Sequence, residues 1–352
     1  MKTKIRYAYI VLIVLFVGIL ESFMFRNVGA KASHISEKTP LIGLNAPDEI
    51  TPETPFLWRQ LSLVTSFAYD IAVDPTNPAN IYVGTGNATI PFVYSHDYGT
   101  TWITQTTGLP VSNVHSVAID PTNSDVLYVG LYPDNMIDRG VYKSEDGGAS
   151  WDLKNNGMDP LPGEMTAMLV YPITPTIVLA THSARLYRSE DGGENWTSMI
   201  IGVQADGSSV KQLVMDSSNP PKIYAVGRAE GVFVSEDAGE TWVPTGFQAD
   251  SLAIDPQDIQ VFYRVQCVVE KSVNGGNTWT PLPTPQACYE RVTTDPIQSG
   301  VLYLTGQFFQ VMQSLDGGNS WRTLNPTPPG IQSPSSWTFE IDPVDSSRLY
   351  VF

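Results

Sequence analysis

Arginine, carboxylate and cysteine positions carry what chemistry this sequence offers. Arg139, Arg185, Arg228, Arg264 and Arg291 stand in segments nearly free of lysine. Guanidinium groups converging from separate loops clamp a carboxylate or sulfate in two-pronged fashion, so an anionic ligand is one expectation. Local pairing with Asp138, Glu230 or Glu290 is the competing use of the same side chains. Tyr132, Phe308 and Trp337 supply flat rings that stack on sugars or pack in the core. Asp134 and Asp138 are weak candidates for a glycoside-cleaving pair, which needs two acids held roughly 5–10 Å apart. Cys267 and Cys288 are an even count, close enough in sequence to close one short loop, and a disulfide is expected. The four histidines are scattered and no Cys-x-x-Cys occurs, so neither a metal nor a cofactor is expected. No phosphate-binding Gly-Lys-Ser/Thr, no His-Glu-x-x-His and no Gly-x-Ser-x-Gly is present.

Charge narrows the partners. The chain has 352 residues and a formal net charge of −16. Residues 1–32 read as a secretory leader: Lys2, Lys4 and Arg6 precede a mostly apolar run from Tyr7 to Leu20, and Ala30-Lys31-Ala32 offers a cleavage site after Ala32. Removing them leaves 15 basic and 35 acidic residues, about −20. Such a body repels nucleic acid and anionic lipid at long range, so neither is expected as a partner. No membrane contact beyond the export signal is expected. Residues 33–57 are a proline-rich linker, and residues 58–352 form the folded domain.

Two out-of-phase repeats dictate the elements that hold these residues. An octapeptide recurs at Ser95–Trp102, Ser144–Trp151, Ser189–Trp196, Ser235–Trp242, Ser272–Trp279 and Ser314–Trp321. Its third positions are Asp97, Asp146, Asp191, Asp237, Asn274 and Asp316, and six of the eight tryptophans lie in it. A second repeat, such as IAVDPTNPANIYVG at Ile71–Gly84, occurs seven times, the last copy running to Phe352. Each copy is a short β-branched strand, an Asp-Pro turn and a second strand. With the segment that follows, this makes four strands in about 40–45 residues, the period of a propeller blade. An all-β, seven-bladed β-propeller of four-stranded antiparallel blades is therefore expected, its last blade short or incomplete. The segment from Phe56 to Leu61 would supply that blade's outer strand, and no third strand is evident.

The octapeptide resembles the Asp-box, or BNR, repeat S-x-D-x-G-x-T-W. That repeat is shared by sialidases, family 74 xyloglucanases, sortilin-type receptors and a photosystem II assembly factor. The resemblance covers residues 58–352, and it implies that the octapeptide aspartates build turns away from any active site. A sialidase would carry an Arg-Ile-Pro near its first blade, and Arg59-Gln60-Leu61 does not match it. A family 74 enzyme would place a catalytic Asp after the second strand, where this chain has Gly84-Thr85-Gly86-Asn87. The expected function is an exported, monomeric, non-catalytic propeller that binds a protein or glycan on the face opposite the octapeptide turns. A glycoside hydrolase is the alternative.

Overall fold

The computed structural model describes residues 9–13, 57–61 and 68–351, apart from 105–106, 133–139, 160–164, 183–184, 200, 202–209, 228–230, 286–287, 307–310 and 325–337. Six antiparallel meanders follow one another along the chain. Blade 1 has three strands, Ala68–Val73, Ile81–Thr85 and Phe92–Ser95; a lone bridge from Tyr94 to Ile103 stands where an outer strand would be. Blades 2 to 6 have four strands each. Their innermost strands are Asn113–Ile119, Met165–Val170, Val210–Met215, Ser251–Ile254 and Arg291–Thr294.

A seventh sheet joins the two ends of the chain. Phe339–Ile341 pairs antiparallel with Arg348–Val351, as in every blade. The next strand is Tyr9–Ile13, which runs parallel to Arg348–Val351 and to Leu57–Leu61 beyond it. The expectation of seven antiparallel blades is thus corrected to six and a mixed closing sheet. Leu57–Leu61 takes the outer position, as the sequence indicated, and residues 9–13 of the expected leader fill the place for which no third strand was evident.

Among the described residues, seven apolar clusters, each shared by two adjacent sheets, hold the ring together. Between blades 1 and 2, Tyr82, Phe92, Val117, Leu127 and Trp151 pack together, with Phe92 meeting Trp151 edge-on at 4.9 Å. Between the closing sheet and blade 1, Tyr350 packs on Ala68, Ile71 and Val83. Strand alternation explains this arrangement: each radial sheet buries both faces against its neighbours, so its central strands are apolar at nearly every position.

The turns are built by short-range side-chain bonds. In the Asp-Pro turns, Asp74 Oδ1 accepts the N–H groups of Thr76 and Asn77 at 2.8 and 3.1 Å, and Asp342 Oδ1 receives Val344 and Asp345 at 2.9 Å each. In the octapeptide of blade 2, Ser144 Oγ donates to Asp146 Oδ1 at 2.8 Å and accepts the Gly148 N–H at 2.9 Å. The same Asp146 oxygen accepts the Ser150 N–H at 2.8 Å. One carbonyl-type oxygen suffices for this, which is why Asn274 substitutes for Asp: its Oδ1 receives Ser272 Oγ and the Thr278 N–H at 2.9 Å. Gly147 N–H then donates to Asp125 O at 3.0 Å, tying the octapeptide to the preceding Asp-Pro turn on one face of the ring. Ser144→Ala would leave the buried Gly148 N–H without its acceptor, and a loss of about 1–2 kcal/mol is expected in urea unfolding. An unchanged midpoint would remove that bond from the account.

Candidate functional site

The innermost strands surround a central channel with a cavity of about 620 Å³. Its polar lining comes from one position of the repeat, four residues before the Asp of the Asp-Pro turn. That position holds Asp70, Ser116, Ala167, Gln212, Ser251, Arg291 and Thr338, polar in six of seven copies, with Tyr171 in place of the turn Asp in blade 3. Most of these side chains reach the backbone of the next sheet. Asp70 Oδ2 accepts the Val117 N–H at 2.8 Å, and Gln212 both donates to Leu252 O and accepts its N–H at 3.1 Å. Ser251 Oγ accepts the Val292 N–H at 3.3 Å. Thr338 Oγ1 donates to Ala68 O and Tyr69 O at 3.2 and 3.0 Å, closing the girdle.

Arg291 occupies the same position and makes no such bond among the described residues. It acts electrostatically on two channel carboxylates, Asp70 and Glu340. Phe339 and Ile341 are buried in the cluster against blade 6, so strand alternation turns Glu340 to the other face of its strand, where it lines the channel. Burial pushes the Asp70 carboxyl up to about 6, while the Val117 N–H, Arg291 and the Ile71 N–H pull it down. Burial likewise pushes Glu340 up to about 7, with Arg291 opposing and the Asp70 charge adding to the rise. Two carboxylates share one guanidinium.

The mouth opposite the octapeptide turns is ringed by the residues just before this girdle. Register shifts in blades 1 to 4 place Tyr69, His115, Thr166 and Lys211 as bulge residues there, and Asp250 and Glu290 follow in blades 5 and 6. Tyr69 and His115 stack at 3.9 Å between ring centroids, and Tyr132 meets His115 edge-on at 5.5 Å.

Of the sequence candidates, Arg291 and Tyr132 belong to this mouth. Two other arginines are spent elsewhere, which corrects the expectation of guanidinium groups converging from separate loops. Arg185 opens the third strand of blade 3 and pairs with Asp159. Arg264 lies within the second strand of blade 5, bonded to Glu270 at 2.6 Å and stacked 4.3 Å over the Trp279 ring. Asp134, Asp138, Arg139, Arg228, Phe308 and Trp337 lie outside the described residues. Among the described residues no group of three or more His, Cys, Asp or Glu side chains is placed to hold a metal ion. Asp70 and Glu340 escaped the sequence reading; the signal for Asp70 was a polar residue recurring in register inside an apolar strand.

The channel pair is expected to make stability fall with rising pH. Both carboxyls are raised above their ordinary values of 3.8 and 4.5, so the folded protein keeps protons that the unfolded chain releases. That contribution is complete below about pH 4 and is lost as the pH rises through 6 and 7. The groups facing the pair are Arg291 and, at the mouth, Lys211, His115, Asp250 and Glu290. The octapeptide carboxylates act oppositely: hydrogen bonds from Ser320 hold Asp316 down at about 2, so its contribution is full above about pH 4 and is lost as the pH falls toward 2. Stability is expected to peak near pH 5. Glu340→Gln should abolish much of the decline and add roughly 2 kcal/mol at pH 8, since channel water screens part of the charge. Urea titrations at pH 5 and pH 8 measure it, and equal pH slopes for both proteins would refute the assignment.

No protein-family model matches the chain, and no curated protein matches it. Solved structures do. The GH74 xyloglucanase from Xanthomonas campestris superposes with a TM-score of 0.63 at 18% identity, over 80% of this chain and 50% of that one. The chain thus spans about half the length of that enzyme. YCF48 from Cyanidioschyzon merolae superposes with a TM-score of 0.61 at 16% identity, over 80% of this chain and 92% of that one. YCF48 bound to D1 peptide gives 0.55 at 19% identity, over 74% and 82%. At these identities the likeness establishes the β-propeller fold.

Proposed function

We propose that the chain is an exported, non-catalytic propeller of the Asp-box superfamily that docks a polypeptide segment at the channel mouth opposite the octapeptide turns. The observation that carries this is the composition of the mouth. Lys211 and Arg291 share the lining of a cavity of about 620 Å³ with Asp250, Glu290 and the stacked Tyr69 and His115. Both signs of charge with an aromatic platform suit the mixed side chains of a peptide. A purely anionic ligand would meet more carboxylates than cations there. One YCF48 structure holds a D1 peptide, so a single propeller of this kind accommodates such a ligand. On this reading the hairpin of Phe339–Ile341 and Arg348–Val351, which is retained when residues 1–32 are removed, closes the ring as the inner half of the seventh blade, and the protein acts as a monomer.

Export belongs to the same proposal. A disulfide joins Cys267 and Cys288, and disulfides persist in oxidising compartments, which argues for a place outside the cytoplasm. Residues 1–32 are proposed as the leader, and N-terminal sequencing of exported protein tests cleavage after Ala32.

A glycoside hydrolase remains the second reading, favoured by the raised carboxyls of Asp70 and Glu340. Against it, Asp70 gives one oxygen to the Ile71 N–H and the other to Val117, the use of a girdle residue. The test has two arms. Short random peptides displayed on phage are selected on the immobilised protein, and xyloglucan, other β-glucans and sialosides are screened for turnover, with glycan binding as a third readout. Recovered peptides that lose binding on Tyr69→Ala support docking. Turnover abolished by Glu340→Gln would replace docking with hydrolysis.

A further inference from the structure

We infer that the channel receives a protonated amine or guanidinium, the side chain of a lysine or arginine presented by the docked polypeptide, with Glu340 as its acceptor. This rests on the docking reading of the mouth and specifies what the partner inserts.

Three observations converge. The first is a shortage of positive charge. Arg291 is the cation that acts on both Asp70 and Glu340, with Lys211 further out at the mouth, and among the described residues its guanidinium makes no hydrogen bond or ion pair to either carboxylate. The second is availability. Asp70 has both oxygens engaged by backbone N–H groups at 3.0 and 2.8 Å, whereas the Glu340 carboxylate has no hydrogen-bond partner among the described residues. Asp70 therefore supplies a fixed negative field, and Glu340 supplies an open acceptor. A half-buried carboxylate facing the channel without a protein donor is left under-compensated, and an incoming N–H cation compensates it through a charge-assisted bond.

The third is depth. Glu340 stands two residues before the Asp of its Asp-Pro turn, whereas Asp70 and Arg291 stand four before theirs. At about 3.3 Å per strand residue, Glu340 lies roughly 7 Å further from the mouth than the girdle. A long, thin cationic side chain spans that distance while its backbone stays outside with Tyr69 and Lys211. A metal ion is a poor occupant, as no three suitable ligands gather among the described residues. An anion could meet Arg291 only beside two carboxylates.

The peptides recovered by display provide the experiment. They are synthesised with a fluorophore, and affinity is read by polarisation on the full protein, on Glu340→Gln and on Tyr69→Ala. The expected result is a lysine or arginine common to the recovered peptides. Affinity should fall by about tenfold or more both on Glu340→Gln and when norleucine replaces that basic residue. Glu340→Gln removes a repelled charge and keeps the shape, so its fold is expected to be at least as stable, which unfolding curves verify. Peptides that require Tyr69 yet bind Glu340→Gln as tightly as the parent would overturn the cation and leave docking in place. Peptides indifferent to Tyr69→Ala would overturn both.

Discussion

Gly157→Ala is expected to cost about 4 kcal/mol, the largest effect of any single methyl group considered for this ring. Gly157 lies in the link after the outer strand of blade 2, with φ at +90°, and an added Cβ would stand 2.1 Å from the carbonyl oxygen of Trp196 in the next blade. Left-handed backbone costs an L-residue about 1–2 kcal/mol, and overpacking typically adds about 1–3 more. The obstacle is backbone on both sides: Trp196 N–H donates to Asn156 O at 2.8 Å, fixing the link against the next octapeptide. Gly108 repeats this one blade earlier, 2.1 Å from Trp151 O at φ +92°. Gly246 occupies the corresponding place after blade 4 at φ +83°, yet an added Cβ there meets nothing within 4 Å. Gly246→Ala should therefore lose only the conformational part, about 1 kcal/mol. Urea midpoints for the three variants decide it: equal losses would mean that backbone conformation alone matters.

Replacing both Cys267 and Cys288 with serine is expected to cost about 3 kcal/mol. The bridge closes a loop with a sequence separation of 21, and cross-linking a loop of that size removes corresponding entropy from the unfolded chain. The Cα atoms stand 4.1 Å apart, just under the usual range of about 4.4–6.8 Å, and Tyr289 N–H donates to Cys267 O at 3.3 Å beside them. Cys267 sits at the tight turn between Phe262–Gln266 and Val268–Ser272, which agrees with a place on the face away from the octapeptide. Glu290 and Arg291 follow directly after this tie, so the serine variant should also weaken peptide binding at the mouth. A urea midpoint unchanged by a thiol reductant would count against both expectations.

What was legible in the sequence is what acts over short range. Ser, Asp and Gly of the octapeptide bond within one turn, so their spacing alone announces the hairpin. The Asp-Pro turns are equally local, and both repeat often enough to fix the blade period. The channel was hidden because its partners are distant in sequence. Asp70, Arg291 and Glu340 belong to three different sheets and meet through ring closure, which no spacing rule expresses. The arginines misled for a related reason: Arg264 reads as a loop residue until the Trp279 ring beneath it is seen. Blade 1 ends after three strands although its octapeptide is intact, because Thr101-Trp102-Ile103 contributes only the single bridge to Tyr94.

The seam between Thr338 and blade 1 has a kinetic consequence. Every other inter-blade cluster joins segments one repeat apart, whereas Thr338 reaches Ala68 across 270 positions, and Arg348 lies 4.2 Å over the ring of Tyr98 across a similar span. Closing so long a loop costs entropy that grows only slowly with length, yet it must be met before any seam contact repays it. Blades 1 to 6 can stack in order as the chain emerges, each on its predecessor. Until the final hairpin arrives, the growing arc exposes the apolar face of Ala68, Ile71 and Val83 to water at one end. The central channel exists only once that last hairpin docks, so the proposed cation pocket is the final part of the molecule to form and the first to open when the seam gives way.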